Sequence, residues 1–192
     1  MDETWLYHYD PETKQQSMEW WYSGSPHPKK FRVQKSAGKV LISIFWDEDG
    51  ILLSDYLPKG QTINVQYYSS LLVQMKDILK EKLRGKVTEW VLFLHDNASA
   101  HRALATQKKL SYLGFQCLHH PPFSPDLAPS DYHLFPGLKK QLKGRQFSSN
   151  AEIIAAAETW LDGQPSEFFF RVLENLEQRA KKSIVICGKY VE

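Results

Sequence analysis

Residues Trp90 to Leu94 form an unbroken apolar run between two stretches of helical spacing. Such a run marks a short strand buried on both faces. Strands of that kind are joined by crossover helices, so this feature points the chain towards an α/β sheet. Before it, from about Asn64, Tyr67, Leu71, Met75, Ile78, Leu79 and Leu83 recur at helical spacing. After it, Asn97 is a candidate cap for a helix running to Leu113 and stopped by Gly114, followed by a short strand at Phe115–Leu118. Nearer the start, residues 2–9 alternate and are rich in aromatics, which predicts a strand. Lys39 to Trp46 predicts another, with Val40, Ile42, Ile44 and Trp46 on one face and Leu41 and Phe45 on the other. Asp47-Glu48-Asp49-Gly50 turns it into Ile51–Leu57, a hairpin. A hairpin feeding βαβ units predicts a mixed sheet covered by helices, one domain over residues 1–192. The four prolines between His120 and Pro129 exclude regular structure there. Ser130 or Asp131 then caps a helix to about Lys143, with further helices near Asn150–Leu161 and Pro165–Lys182. Residues 10–38 are a long, turn-rich connection, a length that usually serves function.

Six Trp, nine Tyr and ten Phe supply ample surface for a core, which excludes a wholly disordered chain. No run of about 18 apolar residues occurs, so no membrane span is expected. The opening Met1-Asp2-Glu3 has no apolar stretch behind it, so no signal peptide is expected either. Cys117 and Cys187 make no disulfide framework and suit the reducing cytosol or nucleus. The net charge of +2 is unevenly spread. Residues 101–145 carry seven Lys and Arg against Asp126 and Asp131, while both flanking segments are slightly acidic. A basic middle third suits a polyanionic partner, although a solvated helix face explains the charge equally well.

In open α/β sheets functional groups collect beyond the carboxyl ends of the strands, and Asp96 follows the apolar strand there. Asp131 follows the rigid proline-rich loop, and Asp2 near the first strand's start can supply a third carboxylate. Hard divalent ions such as Mg²⁺ take oxygen ligands from a few carboxylates plus substrate phosphates. Two such ions stabilise the attacking and leaving oxygens of a phosphoryl displacement. An Asp at a helix start is by itself usually only a cap.

Spacing and flanks carry the case further. His95-Asp96-Asn97-Ala98-Ser99-Ala100-His101, then 34 residues between Asp96 and Asp131, then Ser124-Pro125-Asp126-Leu127-Ala128-Pro129-Ser130-Asp131-Tyr132-His133-Leu134-Phe135, closely resembles the mariner transposases. Asp2-Glu3-Thr4-Trp5, Leu57-Pro58-Lys59-Gly60-Gln61-Thr62-Ile63-Asn64 and the closing Gly188-Lys189-Tyr190-Val191-Glu192 extend the resemblance over essentially the whole chain. It implies an RNase H-like catalytic domain that cuts and rejoins DNA with Mg²⁺ or Mn²⁺ in a two-metal site, held by Asp2, Asp96 and Asp131. It also implies a nuclear protein acting as a homodimer on transposon ends and target DNA, with residues 10–38 as a clamp-like loop reaching the partner subunit. The family carries two helix-turn-helix modules before this domain and a first strand that extends several residues before its Asp. Neither is found in these 192 residues. A first strand truncated at its N-terminus, impaired activity and non-specific DNA binding are therefore expected.

His95, His101, His119, His120 and His133 surround the two motifs, but their spacing matches no zinc pattern. Trp20-Trp21-Tyr22 suits packing or a subunit contact better than base stacking. Lys139, Lys140, Lys143 and Arg145 are candidates to follow a DNA backbone. Two function classes stay open: a metal-dependent strand-transfer enzyme, and a non-catalytic DNA-binding or dimerisation module derived from one.

Overall fold

The computed structural model describes residues 1–12, 34–84, 90–122 and 124–185. Most of the expected clamp-like loop, Trp20-Trp21-Tyr22, Cys187 and the closing Gly188–Glu192 lie outside the described residues. Strands β1 (Asp2–Tyr7), β2 (Lys39–Trp46) and β3 (Ile51–Tyr56) form an antiparallel sheet in the order β1-β2-β3. Strands β4 (Val91–Phe93) and β5 (Phe115–Cys117) form a parallel pair. The Met1 amino group donates to the Leu94 carbonyl at 2.8 Å, so the start of β1 lies beside the end of β4. Antiparallel and parallel pairing are thus both present, in two separate sheets, β1-β2-β3 and β4-β5.

The β2–β3 hairpin forms where expected. Asp47 Oδ1 accepts from the Asp49 and Gly50 amides, and Gly50 holds φ 150°, a value that side chains resist. The faces of β2 also separate as the alternation requires. Val40, Ile42 and Ile44 enter one core with Leu134, Phe135, Leu138, Ile153 and Phe169. Phe45 enters a second core with Tyr68, Leu72, Met75, Phe93 and Phe115. Helices α4 (Phe135–Leu142), α5 (Asn150–Asp162) and α6 (Ser166–Val185) supply the first core, and α1 (Val65–Lys82) the second. Burying each such Leu, Ile or Phe contributes about 1.5–3 kcal/mol, so both faces of the antiparallel sheet are secured. Asn64 caps α1 through its side chain, and Gly114, at φ 78°, ends the helix before β5.

Three expectations are corrected. Trp90–Leu94 is not buried on both faces: Leu92 is 64% and Trp90 61% exposed. β1 pairs with β2 from Asp2 opposite Ile44 to Tyr7 opposite Lys39. Beside β4 lies a groove of about 480 Å³ lined by Phe45, Leu52, Met75, Leu79, Leu92 and Leu94. One side of β4 therefore faces open space. Second, the segment after Asn97 is two helices, α2 (Ser99–Arg102) and α3 (Leu104–Tyr112), broken at Ala103, whose ψ of 138° is not helical. Asn97 caps neither; its amide donates to the His120 carbonyl. Third, neither Ser130 nor Asp131 caps a helix, because Ser130–Leu134 is itself a π-helical turn running into α4.

Candidate metal centre

Three elements deliver the three predicted carboxylates. Asp2 opens β1, Asp96 follows β4, and Asp131 lies in the π-helical turn. The turn is a wound-up stretch of the kind frequently found at functional sites. It is tied down from two directions: Trp46 Nε1 donates to Ser130 Oγ at 3.1 Å, and Tyr132 Oη donates to the Val172 carbonyl at 3.0 Å. Arg179 stacks over the Tyr132 ring at 4.3 Å and donates to the Asp126 carbonyl. The backbone that carries Asp131 is thus fixed on both β2 and α6.

The carboxylates act on one another electrostatically. Asp2 is 8% exposed, and its carboxyl is pushed up to about 7, first by burial and next by the Asp131 charge. The Glu3 amide, which donates to Asp2 Oδ1 at 2.8 Å, and the Met1 amino group oppose that rise. Asp131 is also raised, by burial and by the Asp96 charge, with Lys139 opposing. Asp96 moves the other way. The hydrogen bond from His101 lowers it most, and the Ala98 amide adds to the effect against its own burial.

The role of that histidine is the main feature the sequence did not single out. His101 is 1% exposed and bonds through both ring nitrogens: Nδ1 to Asp96 Oδ1 at 2.6 Å, Nε2 to Glu3 Oε1 at 3.1 Å. Burial works against its charge, but the two carboxylates outweigh burial and push it up to about 9. Both nitrogens are then donors, as an imidazolium requires. Its ring packs on Tyr68 at 4.1 Å between centroids and on His95 at 5.1 Å. Tyr68 Oη bonds His95 Nδ1 at 2.9 Å, and burial drops His95 to about 4, so one histidine is charged and its neighbour neutral. Among the described residues the acidic and histidine side chains whose ligand-type atoms lie within 4.8 Å of one another are Glu3, Asp96 and His101; of the three expected ligands Asp96 belongs to that cluster, and Asp2 and Asp131 do not. The signal available in the sequence was the histidine five positions after Asp96 and the acidic pair Asp2-Glu3.

His120 adds a second polar atom. Its Nδ1 bonds the Pro121 carbonyl at 2.9 Å, which leaves Nε2 as a lone pair, and Nε2 is buried with no partner. His120 and Asp96 line the same two cavities. The carboxylate oxygens of Asp96 and Glu3 are the hard donors a divalent cation takes. His119 and His133 do not join the cluster; His133 packs on Phe168 at 4.7 Å. Of the candidate DNA-binding residues, Lys139 is half-buried beside Asp131 and over the Phe135 ring at 5.8 Å, and burial lowers it. Lys140 and Arg145 are exposed, and Lys143 is intermediate.

Residues 10–89 match the family model described as transposase (partial DDE domain). The mariner Mos1 transposase of Drosophila mauritiana is 32% identical across the whole chain, which spans 55% of that protein's length. The crystal structure of the Mos1 mariner paired end complex with Mn superposes with a TM-score of 0.88 at 32% identity, over all of this chain and 55% of that one. The crystal structure of the catalytic domain of Mos1 mariner transposase does so at 0.75 and 34% identity, over 80% of this chain and 76% of that one. The shared architecture is the RNase H-like fold.

Proposed function

The chain belongs to the mariner family of DNA transposases, and on that premise we propose that it is a metal-dependent DNA-cleaving and strand-transferring domain. In this reading Asp2, Asp96 and Asp131 hold Mg²⁺ or Mn²⁺, and the substrates are transposon ends and target DNA, acted on in the nucleus by a homodimer. The observation that carries it is the cluster of Glu3, Asp96 and His101, whose ligand-type atoms lie within 4.8 Å of one another; beside it the Asp96 charge raises Asp131, and the Asp131 charge adds to the burial that raises Asp2. Such a group is stabilised by a cation and penalised without one. Bound divalent ions supply charge stabilisation for the attacking and leaving oxygens of the phosphodiester. The chain's own part is to fix the carboxylates: β1 and the Glu3 amide hold Asp2, the turn after β4 holds Asp96, and the anchored π-helical turn holds Asp131. Lys140, Lys143 and Arg145 neutralise backbone phosphates, with Lys139 set closer to Asp131.

The test is Mn²⁺ calorimetry together with nicking of a duplex bearing a mariner-type terminal repeat. Asp96→Ala is expected to lose both signals while its circular dichroism is unchanged. Cleavage at the wild-type rate in Asp96→Ala would overturn the assignment. DNA binding with no Mn²⁺ uptake in the wild-type chain would make it a non-catalytic module instead.

A further inference from the structure

The Asp96 carboxylate is held on one side only. Its Oδ1 takes the Ala98 amide at 2.9 Å and His101 Nδ1 at 2.6 Å, and neither bond falls on Oδ2. The histidine is in turn fixed at every point. Its amide donates to the Ala98 carbonyl at 3.0 Å, its carbonyl accepts from Gln107 Nε2 at 2.8 Å, and its far ring nitrogen is bonded to Glu3. Thr106, fully buried, closes the Ala103 break by donating to the Ala100 carbonyl at 2.6 Å, so α2 cannot slide away from Asp96. Tyr68 from α1 and His95 beside β4 cover the ring faces. This is more restraint than a packed core histidine needs, and it joins the first strand to the loop after the fourth.

We propose that His101 and Glu3 are positioning residues that clamp Asp96 through Oδ1 and thereby present Oδ2 to a divalent cation. The proposal rests on the reading of Asp96 as a metal ligand. Strand pairing places Asp2 and Glu3 on opposite faces of β1. One residue of the acidic pair is thus a candidate ligand, while its neighbour reaches round through His101 to orient a second ligand. Partners of metal-binding side chains typically change metal affinity about 10–100-fold when removed.

The experiment is Mn²⁺ titration of the full chain by isothermal calorimetry, with circular dichroism melts on every variant. His101→Ala and Glu3→Ala are each expected to weaken Mn²⁺ about 10–100-fold. His101→Asn places an amide nitrogen where Nδ1 stood, keeps the donor to Asp96 and is expected to restore most of the affinity. A purely structural histidine would not show that rescue. Glu3→Ala leaves the ring packing intact, so it reports on the clamp even where His101→Ala unfolds. Wild-type affinity in a folded Ala variant, with Asp96→Ala unable to bind Mn²⁺, overturns the role of that residue. Wild-type affinity in Asp96→Ala overturns the ligand reading beneath it.

Discussion

Asp2→Asn tests whether the site stores electrostatic strain. The amide keeps an oxygen for the Glu3 N–H, which the carboxylate now holds at 2.8 Å, and removes only the charge. In the unfolded chain the Asp2 carboxyl loses its proton near 3.8; in the fold it does so near 7. Below the lower value it is protonated in both states and costs nothing. Between the two the unfolded chain is ionised while the folded one holds its proton, so folding becomes harder as pH rises. Above about 7 the penalty levels off. At 1.36 kcal/mol per pH unit its ceiling is ~4 kcal/mol. For a chain of this size about 1 kcal/mol moves Tm by 2–4 °C, so the Asp2→Asn variant should melt on the order of 10 °C above wild type at pH 8. At pH 4, just above the lower value, the two should melt within about 2 °C of each other. The assay is a set of thermal melts from pH 4 to 9 in chelator, followed by Mn²⁺ addition. Mn²⁺ should raise wild type and leave the variant behind, because a ligand stabilises only the form it binds. A Tm difference that does not change with pH, or a variant less stable than wild type at pH 8, would refute the reasoning.

Leu138→Ala empties a fully buried position between α4 and the antiparallel sheet and should cost about 2–5 kcal/mol, read as a fall in the urea midpoint with unchanged slope. Replacing Lys139, Lys140 and Lys143 together with Ala should reduce the salt slope of random-duplex binding by about two rather than three units, at about 0.9 per phosphate. The shortfall comes from Lys139, which is half-buried and feels the Asp131 charge; a slope change of three would contradict that.

The periodic parts of the fold were legible because burial enforces period. β2 shows this best: its alternation sorted Val40, Ile42 and Ile44 from Phe45, and the two cores are built on that division. Within α1 the same logic erred by a residue, favouring Tyr67 over Tyr68 and missing Leu72. The reason is that α1 packs on the sheet and on α3 together, so its buried stripe is wider than one row of side chains. Trp90–Leu94 misled for the opposite reason. Apolar composition reports what a strand prefers to bury, and beside β4 the groove leaves Leu92 uncovered. Asn97 is not the expected cap, because its amide reaches the His120 carbonyl, while the neighbouring Asp96 carboxylate takes the Ala98 amide. Both residue types can close such a turn, and only the loop before His120 decides between them.

The carboxylates were visible in sequence as residue types at a spacing, but their division of labour was not. That division depends on which neighbour each one meets in the fold. Asp96 meets a charged histidine and stays ionised; Asp2 meets another acid in a buried place and resists ionisation. The two shifts are complementary. An anion already paired with His101 draws a cation in at neutral pH, and a half-protonated partner gives up its proton only when that cation arrives. Three freely ionised carboxylates at one site would repel one another. Holding Asp96 down and Asp2 and Asp131 up limits that repulsion until a cation arrives. In the proposed clamp the Glu3–His101 pair is therefore as much a part of the metal chemistry as the Asp96 carboxylate it orients.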